Sequence, residues 1–212
     1  RELAKKILKD PEEITLSISK PAAGVTQSVY LTFDNQKIPL IKDILTNRPD
    51  YSSIIIFTSS KLKVNEIVHG LRKNGFKAQG ISSNLEQEQR EELLRGFRSK
   101  RIRIVVATDV MSRGIDIKEI NLVINYDTPF DAEDYVHRVG RTARANTKGE
   151  AITLVNEKDM RKLAQIQRLI EAEIPQLPLP EELGSGPEFK VQAKPQKKKP
   201  FKKKFSSNKP KV

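Results

Sequence analysis

The chain has 212 residues, with 39 Lys and Arg against 27 Asp and Glu, a formal net charge of +12, two His and no Cys. That length allows one sizeable domain with a real hydrophobic core. Disulfides and thiolate zinc sites are excluded by the absence of Cys, and two His cannot build a metal site alone.

In chain order, residues 3–9 read as the end of a helix that Pro11 stops. Residues 14–18 form a short extended piece before Pro21-Ala22-Ala23-Gly24, which reads as a linker, so residues 1–24 stand apart from the body. A strand is predicted over 25–33 and another over 54–57, the latter followed by Thr58, Ser59, Ser60 and Lys61. Leu62, Ile67, Val68 and Leu71 make a helical stripe ended by Asn74-Gly75. Leu85, Leu93, Leu94 and Phe97 make a second stripe. Further strands are predicted over 102–107, 122–124 and 151–155. A helix starts near Asp131, with acids at its positive dipole end, and a last one runs over 159–173. Short Val- and Ile-rich runs alternating with helices predict an α/β fold around a mostly parallel sheet. The body is assigned to 25–175. Ligand loops in such sheets leave the carboxyl ends of the strands, where 58–61 and 108–116 fall.

The remainder, 176–212, reads as a Pro- and Lys-rich disordered tail. Residues 190–212 hold ten of the 39 basic residues and none of the 27 acids. The rest of the chain therefore carries 29 minus 27, or +2, and the basicity belongs to the tail. Low apolar content and self-repulsion argue against folding there. Such a tail suits RNA phosphates, bound without sequence preference and with strong salt dependence, and Phe201 and Phe205 can stack on bases. A flexible solubility tail is the plain alternative.

The densest chemistry is His137-Arg138-Val139-Gly140-Arg141-Thr142-Ala143-Arg144. The rigid five-donor fork of Arg matches phosphate oxygens, and one helical turn separates Arg138 from Arg141. Several cations brought to one spot call for an anion, and a triphosphate is the obvious one. An ion-pair network with Asp131, Glu133 and Asp134, or a solvated face, is the alternative reading.

This octet resembles the last motif of the DEAD-box RNA helicases, His-Arg-x-Gly-Arg-x-x-Arg. The run from Ala107-Thr108-Asp109 to Arg113-Gly114-Ile115-Asp116 resembles the preceding motif. Ile54 through Lys61 resembles the first motif of the same lobe, and Gln87-x-x-Arg90 a further element. Order and spacing resemble the second RecA-like lobe of such an enzyme, a three-layer fold, over about residues 25–175. Residues 1–24 resemble the end of the first lobe and the interlobe linker, with a plain surface loop as the alternative for the linker. The resemblance implies that Arg141 and Arg144 act as arginine fingers on ATP, with Gly114 and Asp116 also at the nucleotide. It implies that Ser59, Ser60, Arg90, Thr108 and Gly114 meet the RNA backbone, and that His137 and Arg138 organise the interface between lobes. Arg90 paired with Glu86, and Thr108 as a strand-end cap, are the structural alternatives.

No Gly in the chain is followed by Lys, so no P-loop is present. The acidic metal motif of the first lobe is also missing. ATP and Mg²⁺ are therefore expected to be held mainly by a first lobe of the same parent chain, and this chain alone is expected to be inactive. Ser82-Ser83-Asn84 departs from the family's His-Gly-Asp or His-Ser-Asp, and Met111 and Ala143 replace smaller residues. The chain begins at Arg1, which suggests a fragment. No apolar run is long enough to span a bilayer, no signal-peptide pattern opens the chain, and a cytoplasmic monomer is expected. A non-enzymatic RNA-binding or chaperone module working through the tail stays open as the alternative function.

Overall fold

The structure is a computed structural model that describes residues 24–82, 85–109, 120–142 and 149–190. Six strands form one fully parallel sheet: β1 Val25–Leu31, β2 Ile54–Phe57, β3 Ala78–Ile81, β4 Ile104–Ala107, β5 Leu122–Asn125 and β6 Gly149–Val155, in the order β1-β6-β5-β2-β4-β3. Every residue of β2, β4 and β5 is buried. That is why these strands read as unbroken apolar runs and not as alternating ones.

Two cores lie on the two faces of the sheet. Ile54, Ile56, Ile104, Val106, Leu122 and Ile124 pack with α1 Lys37–Thr46 and α2 Lys61–Lys73. The intervening residues, Ile55, Phe57, Val105, Ala107 and Val123, pack with α3 Gln87–Arg98, α4 Ala132–Val139 and α5 Met160–Ile170. The two-residue period of a strand thus sorts side chains into the outer layers of a three-layer sandwich. This is the RecA-like architecture implied by the motifs.

Several details differ from the sequence expectations. Leu62 does not join the buried stripe of α2: it is exposed, and Val64 takes the inward position with Ile67 and Leu71. α1 and β3 were not predicted. Residues 176–190, assigned to the tail, instead lie along the free edge of β1. The Leu177 amide donates to the Val29 carbonyl at 2.9 Å, and the Val29 amide to Pro175. Gln36 Nε2 donates to the carbonyls of Leu183 and Ser185, Leu179 and Leu183 pack on the α1 side of the core, and the Lys190 amide reaches Met160 Sδ. The segment covers an edge strand that would otherwise expose its backbone. The predicted helix and linker of residues 1–23, and the basic run 191–212, lie outside the described residues.

Candidate nucleic-acid interface

The carboxyl ends of β2, β4 and β5 deliver three loops to one side of the sheet, and Asp127, just past β5, ties two of them together. Its side chain is 8% exposed. Oδ2 accepts the Thr58 hydroxyl and the Ser59 amide, each at 2.8 Å, and Oδ1 accepts Lys63 Nζ at 2.7 Å. Burial raises the carboxyl pKa. The Lys63 ammonium, the Ser59 amide and the Thr58 hydroxyl outweigh it and hold the group at about 2. Lys37, fully buried in the first turn of α1, places Nζ 3.0 Å from Asp34 and 3.9 Å from Asp127. The Tyr126 ring lies near both ammonium groups, 4.9 Å from Lys37 and 5.9 Å from Lys63. Two cations and two carboxylates therefore neutralise one another beneath the Thr58–Ser60 turn.

Ser59 is exposed on that turn. Ser60 is the N-cap of α2, its hydroxyl accepting the Lys63 amide at 3.4 Å. Thr108 and Asp109, half-buried, follow β4. Arg90 is half-buried in the first turn of α3, and its amide donates to the Glu86 carbonyl.

The arginine cluster divides by position. Asp131 caps α4 by accepting the Glu133 amide, acids fill the first turn, and His137 and Arg138 occupy the last. His137 is exposed. Arg138 points inward, 4% exposed, and makes a fork-to-fork pair with Asp109 at 2.6 and 2.7 Å. Its Nη1 also donates to Asn125 Oδ1 at 3.1 Å and to the Asp127 carbonyl at 2.9 Å, and its guanidinium lies 5.1 Å from the Phe57 ring centre. The anion that Arg138 meets is thus an internal carboxylate, and not one of the acids upstream in α4. Arg141 lies beyond the Gly140 cap, half-buried, with its amide on the Arg138 carbonyl. Gly114, Asp116 and Arg144 fall outside the described residues, as do Met111, Ala143 and the pair 83–84.

Comparison with known proteins gives the family. The helicase conserved C-terminal domain matches residues 36–146, over half of the chain. The chain belongs to that family. Within it, the chain resembles DEAD-box proteins: the ATP-dependent RNA helicase RhlB of Xanthomonas axonopodis is 38% identical over 183 residues, 86% of this chain and 32% of the relative. The chain therefore spans about a third of that helicase's length. Among solved structures, E. coli DEAD-box protein SrmB bound to regulator of ribonuclease activity A superposes with a TM-score of 0.73 at 30% identity, covering 81% of this chain and 99% of that one. S. cerevisiae Dbp5 bound to RNA and ADP BeF3 gives 0.75 at 28% identity, over 84% of this chain and 48% of that one. This is the C-terminal RecA-like lobe of a DEAD-box helicase.

Within that lobe, the residues that sequence reading left without a role are Asp127, Lys63, Lys37 and Asn125. A signal was present for one of them. An acid three residues past an apolar run, here Leu122 to Ile124, falls on the ligand-bearing edge of a parallel sheet, and Asp127 does. Lys37 gave none, because its burial depends on Asp34, Asp127 and Tyr126 meeting around it.

Proposed function

We propose that the chain is the C-terminal half of an ATP-dependent RNA helicase, built to close with a first lobe on ATP and single-stranded RNA. The observation that carries this reading is the Arg138 fork. It binds the Asp109 loop, the end of β5 and Asp127, and so draws the proposed RNA-contacting segments, Thr58–Ser60 and Thr108–Asp109, into one body with the arginine helix α4.

Arg141 and Arg144 stabilise the charge that spreads over a transferring γ-phosphoryl group, as arginine fingers do in phosphoryl transfer. Gly114 lets backbone approach the nucleotide and Asp116 accepts from its ribose. Ser59, Ser60, Arg90, Thr108 and Gly114 contact phosphate and sugar, which fixes register without reading bases. His137 and Arg138 organise the lobe interface.

The chain fits ATP as half of a site only. It offers guanidinium donors past the end of α4 and has no P-loop to cradle phosphates. Because the chain lacks the P-loop and the acidic metal motif, Mg²⁺ is assigned to the first lobe, and this chain by itself is expected to turn over ATP at no appreciable rate. The parent protein is assigned to the cytoplasm.

The test is reconstitution. Joined to a DEAD-box first lobe carrying a P-loop, this chain should support ATP turnover that single-stranded RNA stimulates. Failure of RNA to stimulate turnover in a properly folded fusion removes the helicase reading. It would favour the binding-module reading, which the separation of a near-neutral body from a basic tail supports on its own.

A further inference from the structure

The hydrogen bonds of Asp127 reach two parts of the fold. Among the described residues, the Asp127 carboxylate accepts hydrogen bonds from the Thr58 hydroxyl and the Ser59 main-chain amide of the turn and from Lys63 Nζ of the helix that this turn starts, with Lys37 Nζ of α1 at the longer distance of 3.9 Å. Its main-chain carbonyl instead accepts from Arg138, the inward arginine of α4. One residue thereby fixes the turn with its carboxylate and the arginine helix with its backbone. Ser59 is exposed immediately above these bonds. A hydroxyl-bearing turn can hold a phosphate in a defined geometry only if its own backbone is prevented from relaxing, and rigid support from beneath does that.

We propose that Asp127 is a positioning residue for RNA: it holds Ser59 and Ser60 in the shape that meets the sugar–phosphate backbone and keeps that shape in register with α4. This rests on the RNA reading of the Thr58–Ser60 turn given above. Lys63, with the Ser59 and Thr58 donors, keeps the carboxylate ionised where burial alone would favour the protonated acid, and the buried Lys37 ammonium lies 3.9 Å away. Asp127 itself touches no RNA.

The experiment is an amide-resolved NMR titration of the full 212-residue chain with a uridine decamer, in salt high enough to weaken tail binding. In the wild type, the Ser59, Ser60 and Lys61 signals should shift and yield a Kd, and the Ser59 amide should exchange slowly. Asp127→Asn should raise the Kd read at those signals by about tenfold or more and speed Ser59 exchange. Thr58→Val, which removes one hydrogen bond and no charge, should raise the same Kd by about threefold, and it carries the test if Asp127→Asn does not fold. Glu150→Gln, which breaks the Arg48 pair beside the first residues of β5 and β6, serves as the control. It should lower the melting temperature and leave the Kd at the turn unchanged.

An unchanged turn Kd in folded Asp127→Asn and in Thr58→Val would overturn the positioning role while leaving the RNA reading intact. Loss of affinity at the turn in Glu150→Gln to the same degree would reduce Asp127 to a stability residue. Absence of any shift at Ser59–Lys61 in the wild type would remove the RNA reading of the turn, and the proposal with it.

Discussion

Arg138 and Arg141 are one helical turn apart, yet they stand in different environments. Arg138 commits its fork to Asp109, Asn125 and the Asp127 carbonyl, while Arg141 stands half-buried past the helix end. The family resemblance gave the two arginines different roles, but the helical pattern alone could not show that Arg138 is the buried one, because which positions face inward at the end of an eight-residue helix depends on where Gly140 stops it. Replacing Arg138 by Ala should therefore cost roughly 2 kcal/mol of folding stability in a denaturant melt, the scale for charged hydrogen bonds whose carboxylate partner, Asp109, is only half-buried. Replacing Arg141 or Arg144 by Lys should instead leave stability and nucleotide-free RNA affinity nearly unchanged. In the reconstituted two-lobe protein it should cut RNA-stimulated ATP turnover by about a hundredfold or more, since an ammonium cannot reproduce a positioned two-donor contact. An unaltered rate would take both residues out of the catalytic assignment. Asp127 adds a pH dependence with a definite sign. Its folded pKa, about 2, lies below the ordinary 3.8, so its contribution is complete above about pH 4 and is lost as the pH falls from there through 2. That contribution is on the order of 2 kcal/mol. Acid unfolding followed by circular dichroism should show this loss in the wild type, and Asp127→Asn should lack the corresponding part of the slope.

At the level of elements, legibility followed burial on both faces. β2, β4 and β5 could be read directly because nothing polar interrupts them. β3 could not: its sequence is Ala78-Gln79-Gly80-Ile81 at a sheet edge, where only its two end residues are buried. α1 was hidden by Pro39, which breaks helices in their interiors but is tolerated in the first turn, where the amide would have no partner. The segment 176–190 was hidden by composition. Its prolines suggest a linker, whereas its docking depends on Gln36, 147 residues before Leu183 in the chain. Gly186 tests that docking. A Cβ there would sit against the Leu31 carbonyl, too close for any side chain, and 3.1 Å from Leu179. Since the neighbouring atoms are backbone of β1, relaxation must move the segment itself. Gly186→Val should lower stability by about 1–3 kcal/mol and make the 177–186 stretch susceptible to limited proteolysis. A melting temperature and cleavage pattern equal to wild type would mean that the segment adds nothing to the edge it covers.

For the molecule as a whole, the decisive quantity is where its charge lies. Residues 191–212 hold nine Lys and no acids, so cutting after Lys190 takes the formal net charge from +12 to 12 minus 9, or +3. The cut leaves the docked segment whole, because the Lys190 amide on Met160 is its last described contact. The body keeps its own proposed RNA surface at the carboxyl edge of the sheet. Neighbouring strands are about 4.8 Å apart, so the ends of β1 and β2, three strand positions from each other, are separated by roughly 15 Å. An extended chain gains about 3.3 Å per residue, so the basic run can reach any loop on that edge. The two contributions should separate by salt. Each neutralised phosphate on a single strand adds about 0.7 to the slope of log Kd against log salt. If half to all of the nine Lys engage, the intact chain should be steeper than the truncated one by roughly 3 to 6. The melting temperature should not change, and ATP turnover with a first lobe should survive at saturating RNA. Equal slopes would assign the tail no part in RNA binding. Complete loss of RNA affinity on truncation, with no ATP-dependent behaviour restored by the first lobe, would instead make the tail the whole of the binding activity and the folded lobe its carrier.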